Sequence, residues 1–560
     1  MVRFVLVSDN TLVYDFRHFP LLDFLPSAPS HAIPSTIYKF LRGKPVPATS
    51  RGELKFAPYG LRKIEAALLQ RYKPEEVAVA HPDYLGKLIS DDTEIIAVHT
   101  MDPFGLGPTT MSYYALFGGN ELQAWVRREW DELIEKINAA RIGKKAKLLI
   151  GGPGVWEYTL LEDEIERQHI DFLFQGEADE VVADLFEFIS TGHGDGSFSN
   201  SYVTYSDTFQ RSIVQHDKFL SRGNKYKLYP NLEEIPLIVK PSMDSLVEVM
   251  RGCGIGCDFC EVTLRPLRYQ PVENIAKEIK VNVAAGYSNA WLHSDEIFGY
   301  MHFQNFVPNE DALVNLFTTV MQIPGIKITN PTHGRISPAA AYPELIEKLS
   351  KIVRAGPRRW IGVQVGLETG SEKLAKMHMP AKTLPLKIGV DGSWQEIVWN
   401  GVHNMNKYYW RPAFTVQVGQ AGETDEDNWD TVALINRLSS SVVDGRPFEF
   451  TVTPLYNMPL GRIKAKKVNF ADTLSISALA VYYASYAHLA KMAARDSRKE
   501  AKGSPLVRIG TSSLISLGGY IMLKTVEKIA RKAGLDIEKA KRYGTSGSKE
   551  IESWAVAEKL

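Results

Sequence analysis

The chain is short of cysteine: its 560 residues contain three, and all of them fall between residues 253 and 260. A disulfide framework is therefore excluded, and a shared ligand is the natural cause of such clustering. An excess of charge of either sign is also missing, because Lys plus Arg equals Asp plus Glu at 65 each. No global field draws the protein to nucleic acid, and nucleic acid is not an expected partner. No uninterrupted apolar run reaches the roughly eighteen residues that a bilayer span needs. The opening MVRFVLVSDN reads directly as a strand and not as a signal peptide. The expectation is a cytoplasmic protein without a membrane partner, in which the short apolar run Leu514–Leu523 is a packed segment. A lack of apolar residues is not a problem: 44% hydrophobic and 23% charged residues exclude a mostly disordered chain.

At this length two large domains and a smaller third are expected. Apolar strand-like runs at Arg3–Ser8, Glu76–Ala80, Ile95–Thr100, Ala146–Ile150 and Asp171–Phe174 alternate with amphipathic stretches such as Leu61–Arg71 and Glu121–Ala140. That order predicts an α/β fold with a parallel, doubly wound, Rossmann-like sheet over residues 1–191. Ligands of such sheets lie beyond the carboxyl ends of the strands. Those ends carry Asp9 and Asn10, TMDPFGLGPTT, GGPG at Gly151–Gly154 and QGEAD at Gln175–Asp179. Each loop alone reads as a tight turn, whereas four on one edge suit a large ligand.

Residues 192–240 are rich in Gly, Ser, Asn and Tyr and read as a linker with one hairpin. Six further strand-like runs, Leu246–Met250, Ala290–His293, Lys327–Thr329, Gly362–Val365, Ala413–Val418 and Phe448–Thr453, predict a partial (β/α)6 barrel over 241–470. Residues 471–560 read as a small α-helical C-terminal domain, whose last seventy residues carry 15 Lys and Arg against 8 Asp and Glu, a solvated face.

The segment MRGCGIGCDFCEV sets Cys253, Cys257 and Cys260 directly after the first barrel strand. Spacings of four and three let one loop wrap three thiolates around an iron–sulfur cube, with Gly252, Gly254 and Gly256 allowing the turns. Zinc would want a fourth protein ligand, and no cysteine is left to supply it. Zinc with a His or Asp, and a simple electron-transfer cluster, are the alternatives. Polar residues follow the next strands: Ser294, Asp295 and Glu296, then Thr332, His333 and Arg335, then Glu368. This is the expected active edge of a barrel.

CxxxCxxC with an aromatic residue before the last cysteine, here Phe259, resembles the signature of the radical S-adenosylmethionine (SAM) superfamily. The resemblance implies a 4Fe-4S cluster on Cys253, Cys257 and Cys260 whose open iron takes the amino and carboxylate groups of SAM. The reduced cluster then cleaves the sulfonium to a 5′-deoxyadenosyl radical. SDEIFGY is similar to the segment whose acid meets the SAM amine, with Glu296 favoured over Asp295. VGLETGSEKLAKMHMPAK is similar to the fourth-strand signature and VQVGQAGETDEDNW to the fifth. Phe259, Glu296, Arg335, Glu368 and Gln417 are the SAM-binding residues so implied. For Glu368 the competing reading is a cap of the following helix. His333 and Tyr456 stand as candidate substrate or catalytic residues, against the reading that they are ordinary satisfied polar groups, and Asn457 shares that ambiguity.

A doubly wound domain carrying GGPG and GEADEVVADL ahead of such a barrel resembles the cobalamin-binding branch of that superfamily. The implied cobalamin contacts are Asn10, Asp102, Phe104, Gly105, Leu106, Gly151, Gly152, Pro153, Gly176 and Glu177. DxHxxG is absent, so the lower face of the corrin is expected to meet the loop Asp102–Tyr114, with Phe104 and Leu106 near the ring. The cysteine count leaves no set for the second cluster of methylthiotransferases, the paired cysteines of RNA methylases or SPASM-type maturases. The resulting expectation is a radical SAM methyltransferase that uses methylcobalamin to methylate an unactivated sp3 carbon, fed by an external electron donor. The layout and the loop HTMDPFGLGPTTMSYYALFGG are similar to the methanogen enzymes that C-methylate a glutamine of methyl-coenzyme M reductase. That likeness implies a protein substrate and a post-translational modification. A non-methylating oxidation or ring formation on a small molecule, and an iron–sulfur electron carrier, remain the alternatives.

Overall fold

The computed structural model describes residues 2–18, 20–117, 123–191, 203–206, 211–215, 229–458, 474–500 and 504–545. Two compact units emerge: Met1–Thr110 with Glu121–Val247 and Glu273–Tyr287, and Met111–Asn120 with Glu248–Val272 and Ser288–Leu560.

In the first unit, strands β1 (Phe4–Ser8), β2 (Val77–Val79), β3 (Ile95–His99), β4 (Lys147–Gly151) and β5 (Phe172–Gln175) realise the five expected runs. Every residue of β1 is buried, as a central strand covered on both faces requires. The strands lie parallel in the order β2-β1-β3-β4-β5, so the order reverses between β1 and β3. Phe4 packs edge-on against Phe186 of helix Val182–Thr191 and against Tyr72, binding the sheet to its helical layer.

Two further strands form the hairpin expected in the linker at 192–240, but they belong to the sheet. β6 (Val203–Ser206) and β7 (Arg211–Gln215) form an antiparallel hairpin, and β7 lies parallel to β5, so the hairpin extends this same sheet. The remainder of 192–228 lies outside the described residues.

Helix Val272–Ala284 was expected in the barrel domain of 241–470 but belongs to the first unit. Glu278, wholly buried, accepts hydrogen bonds from Tyr59 Oη at 2.7 Å, Lys63 Nζ at 3.1 Å and the Ile238 amide at 3.0 Å. Asn282 Oδ1 accepts from the Ser242 amide at 2.9 Å. Buried polar groups need these partners, and the first unit is where they are found.

Strand β8 (Leu246–Glu248) spans the boundary between the units at Val247, and the second unit carries β9 (Asn289–His293), β10 (Ile328–Pro331), β11 (Ile361–Glu368), β12 (Trp410–Val418) and β13 (Thr451–Tyr456). One sheet runs β10-β9-β8 and another β11-β12-β13. A parallel bridge between His333 and Gln364 joins them, with Gln364 N donating to Thr332 O at 2.8 Å and Gly334 N to Gln364 O at 2.9 Å. The six strands thus stand side by side in chain order. Along β12, Phe414, Val416 and Val418 are buried while Ala413, Thr415 and Gln417 are half-exposed. This period of two turns one face toward the helices and leaves a polar face inside the open barrel.

Helices Ile476–Glu500, Pro505–Lys532 and Ile537–Arg542 are compact with this unit and form no separate domain over 471–560; residues 546–560 lie outside the described set. Pro505–Lys532 also corrects the reading of Leu514–Leu523 as packed. It is long and apolar enough to cross a membrane by length and composition, with 11% of its apolar window buried. Leu517, Tyr520 and Ile521 are each more than half exposed.

Candidate cluster and cofactor site

The three thiols lie on one loop between β8 and the 3-10 turn Glu261–Leu264. Gly252, Gly254 and Gly256 all have positive φ, at 79°, 70° and 84°. A side chain at Gly252 would place its Cβ 2.6 Å from Pro266 O, so glycine is required for the chain to reverse there. Asp295, just past β9, accepts the Gly252 amide at 2.7 Å and fastens the loop.

Burial pushes the Cys253 thiol up to about 11 and Cys257 up to about 12, and it raises Cys260 as well. The thiols also lie within electrostatic reach of one another. Among the described residues no three His, Cys, Asp or Glu side chains converge as a single metal ion needs. The donor set therefore suits a cluster, whose iron would displace the thiol protons.

Glu368 ends β11 in the left-handed region, φ 65°, at a bulge in the β11–β12 ladder. Such strain in a non-glycine residue concentrates at functional sites. It does not cap the following helix, whose N-cap is Ser371, accepting the Leu374 amide at 3.3 Å. Glu368 instead takes Lys382 Nζ at 2.6 Å and Gln417 Nε2 at 2.7 Å. Gly366 makes this possible, since a Cβ there would collide with both Glu368 Oε1 and Lys382 Nζ. Burial works against the Lys382 ammonium, but Glu368 together with Cys257 and Cys260 holds it above the ordinary lysine range.

Glu296, expected to be free for an amine, is 2% exposed and committed to the protein. Its oxygens take Arg335 Nε, the Arg335 amide at 3.2 Å and the Phe298 amide at 3.0 Å. Asp295 is the more exposed of the two and touches the cluster loop. Arg335 Nη1 donates to Leu384 O at 2.7 Å.

Phe259, Asp258, His378, Gly419, Gln420, Ala421 and Asn457 line a recess beside the cluster loop. Three buried side-chain atoms among these residues and the ones above have no partner: Asp258 Oδ1, Arg335 Nη2 and Gln417 Oε1. Buried polar atoms are normally paired, so donor and acceptor orphans together are what a zwitterionic ligand would satisfy. The residues present fit SAM.

His333 Nδ1 lies 3.2 Å from Ser294 O, a carbonyl that can only accept, so that nitrogen carries the proton. Burial, with His293 nearby, lowers its pKa and keeps the ring neutral. Thr332 Oγ1 stands between the two histidines, 3.0 Å from His333 Nδ1 and 3.3 Å from His293 Nδ1. Tyr456, at the end of β13, lays its ring 3.4 Å from where a Gly419 Cβ would be, and its amide donates to Ser112 Oγ at 2.7 Å.

In the first unit the expected residues share the carboxyl edge of the sheet, but several are used by the fold. The expected loop Asp102–Tyr114 is a loop only to Gly107, because Pro108–Phe117 is helical. Phe104 and Leu106 are 5% and 2% exposed, and Phe104 packs on Tyr158. Gly105 supplies a positive φ of 72° in that loop. Asp102 accepts the Gly107 amide and Thr110 Oγ1, and burial beside Asp102 drives the Glu157 carboxyl well above its usual range. Gly152, φ 99°, is required because a Cβ would lie 2.7 Å from His99 Nδ1 and 2.8 Å from Thr100 O. It lets two strand ends approach closely.

Asn10 donates to Glu129 at 3.0 Å. Gly151, Pro153, Gly176 and Glu177 lie along the exposed or half-buried rim. Ser8 Oγ, Asn10 Oδ1 and Thr100 Oγ1, at the ends of β1 and β3 where the order reverses, are buried without partners. This is the place where a bound polar group would be satisfied.

Sequence reasoning missed Lys382, His378 and His293. Lys382 and His378 sit inside the quoted fourth-strand run, and His293 ends a predicted strand, but spacing alone gave none of them a partner.

Residues 247–435 match the model of the Radical SAM superfamily. The chain is similar to tRNA-2-methylthio-N(6)-dimethylallyladenosine synthase of Chromohalobacter salexigens, 24% identical over 249 residues, 42% of this chain and 49% of that protein. It is similar also to ribosomal protein uS12 methylthiotransferase RimO of Nitratiruptor sp., 23% identical over 163 residues, 26% of this chain and 36% of that one. The chain thus spans half or less of the length of these relatives. Among solved structures, TsrM of Kitasatospora setae, a radical SAM methyltransferase with cobalamin and a [4Fe-4S] cluster bound, superposes with a TM-score of 0.52 at 14% identity, over 95% of this chain and 99% of that one. A second structure of TsrM, with tryptophan substrate and aza-SAM, gives 0.49 at 13% identity, over 80% and 73%. The first of these likenesses is one of fold.

Proposed function

Taking residues 247–435 as a radical SAM domain, with the 4Fe-4S cluster and SAM that such a domain implies, we propose that this chain is a cobalamin-dependent radical SAM methyltransferase acting on an unactivated sp3 carbon. The substrate we propose is a protein side chain, specifically a glutamine of methyl-coenzyme M reductase. The observation that carries the methyltransferase reading is a doubly wound sheet with orphaned polar atoms at its switch point, preceding a barrel whose one thiol loop uses every cysteine of the chain. No cysteine remains for a second cluster of the methylthiotransferase kind.

When bound, SAM on the reduced cluster supplies a radical able to remove hydrogen from carbon, and methylcobalamin supplies the methyl group. The chain's own part is to position these groups. Cys253, Cys257 and Cys260 would hold the cluster. Asp258, Arg335 and Gln417 would satisfy the polar groups of SAM, with Glu368 fixing Gln417. Phe259 would shield the recess next to the thiols. Ser8, Asn10, Thr100, Gly151, Pro153, Gly176 and Glu177 would face the cobalamin, and the sequence carries no DxHxxG histidine for its cobalt. The neutral His333, with His293 and Tyr456, would meet the substrate on the polar face of the barrel.

The test is anaerobic reconstitution of the full chain with iron, sulfide and methylcobalamin, followed by turnover with methyl-deuterated SAM and a glutamine-bearing peptide. Corrinoid uptake, 5′-deoxyadenosine and label in the peptide are expected. Deoxyadenosine without transferred label would replace the proposal with a non-methylating radical reaction. A cluster that forms without any SAM cleavage would leave an electron carrier.

A further inference from the structure

A helix on a folded surface normally turns its apolar stripe inward and a polar face to water. Helix Pro505–Lys532 departs from this. Its inner stripe, Thr511, Ile515, Val526 and Ala530, is buried, and a Cβ added at Gly519 would lie 3.6 Å from Ala490 of helix Ile476–Glu500. Leu506, Ile509, Leu517, Tyr520 and Ile521 are nevertheless each more than half exposed. At 3.6 residues per turn these five fall, together with Lys524, Lys528 and Arg531, on one outward arc of about 120°. The outward stripe is thus apolar toward the helix N-terminus and basic toward its C-terminus. The helix carries five Lys and Arg against one acid, Glu527, whose carboxylate is shared by Lys524 at 2.8 Å and Arg531 at 2.9 Å. Among the described residues no carboxylate pairs with Arg508, Lys528 or Lys532.

Contiguous exposed apolar side chains mark an interaction surface, and the charge beside them says which kind. Two copies of this stripe do not suit each other. Antiparallel pairing would set Lys528 and Arg531 of each copy over Ile509 and Leu506 of the other, and parallel pairing would set like charges side by side. An anionic bilayer surface accepts both halves, because apolar side chains enter the acyl boundary while ammonium and guanidinium groups meet headgroup phosphates. Tyr520 stands at the junction, with Lys524 Nζ 5.9 Å from its ring centre, as an aromatic residue at headgroup level would. The helix would lie on the bilayer and not cross it. Its inner side is packed on protein, and the neighbouring helix carries Arg495 and Asp496, paired with Glu449 and Arg411, charges that hydrocarbon does not accept. We infer that Pro505–Lys532 is an interfacial helix that docks this chain on an anionic lipid surface, with its outward stripe against the lipid.

The experiment is flotation of the full chain with vesicles of phosphatidylcholine alone and of phosphatidylcholine mixed with phosphatidylglycerol. The readout needs no cluster, so it stands apart from the radical chemistry proposed above. The unaltered protein is expected to float with the mixed vesicles and to be partly released by salt, which screens the basic half. Leu517→Ser combined with Ile521→Ser is expected to weaken binding about tenfold or more. Lys528→Gln combined with Lys532→Gln should weaken it at low salt and flatten its salt dependence. Val390→Ser, at an exposed site elsewhere in the second unit, is the control and should bind as the unaltered protein does. Should the paired serine variant fail to fold by circular dichroism, the paired glutamine variant and the salt dependence decide. No binding to the mixed vesicles, or equal binding by the folded serine variant, overturns the inference. So does an unaltered protein that light scattering shows to be a dimer and the serine variant to be a monomer, because a second copy would then cover the stripe.

Discussion

His378 Nδ1 lies 2.8 Å from Asp258 Oδ2, which joins the end of helix Glu372–His378 to the middle of the thiol loop. The Asp258 amide returns a bond to His378 O at 3.1 Å, and His378 Nε2 lies 2.7 Å from Ala421 O. One ring therefore ties the cluster loop to the loop after β12 and walls the recess beside Phe259. His378→Ala is expected to remove a hydrogen-bond partner from the half-buried Asp258 carboxylate and from the Ala421 carbonyl, at about 1 kcal/mol each. Global unfolding should shift modestly, while iron retention during anaerobic gel filtration falls and the SAM KM rises. Unchanged iron content and KM in a folded variant would show that the strut is not needed.

Gly366→Ala tests the packing around the buried pair. Its methyl group would collide with Glu368 Oε1 and Lys382 Nζ, so the ion pair must open. The expected outcome is a cluster formed to normal content with 5′-deoxyadenosine production reduced at least tenfold. Gly356→Ala, where an added Cβ meets nothing within 4 Å, is the control and should retain full activity.

Glu278 anchors helix Val272–Ala284 within the first unit. Glu278→Ala leaves the buried Lys63 ammonium, 3.1 Å away in the unaltered protein, without its partner. The cost expected for such a broken buried pair is about 3–5 kcal/mol. Urea unfolding followed by hydrogen exchange should show the loss in the first unit. A change under about 1 kcal/mol would mean that Lys63 finds other solvation.

His488 offers a pH test in the second unit. Its ring stacks on Phe450 at 3.9 Å, with Nε2 3.0 Å from Phe450 O and Nδ1 2.9 Å from Ser439 Oγ. A carbonyl only accepts, so Nε2 carries a proton. Burial pushes the imidazole down to about 4. A depressed pKa means that the unfolded chain binds the proton first. The associated stability is fully present above about pH 6.5 and is lost as pH falls toward 4, on the order of 3 kcal/mol in all. His488→Gln should be less stable at pH 7 and show a flatter loss of stability between pH 6.5 and 4, measured by denaturant midpoint at each pH. An unchanged slope would assign the acid sensitivity elsewhere.

The parts of this protein that could be read from the sequence are those fixed by neighbours along the chain. Three cysteines with intervening glycines define one loop, because the reach of a short backbone segment and the φ values it needs are local properties. The apolar runs of β1, β3 and β4 and of the six barrel strands are local as well, since a strand buried on one or both faces must show it in its own residues. What only the tertiary structure decided is which polar groups meet. Asp258 and His378 stand 120 residues apart, and Glu278 finds Lys63 across 215. Likewise Glu296 meets Arg335, and Phe104 packs on Tyr158. The physical reason is that a buried charge or hydrogen-bonding group takes the partner that the packed chain brings within about 3 Å, and no spacing rule encodes that distance.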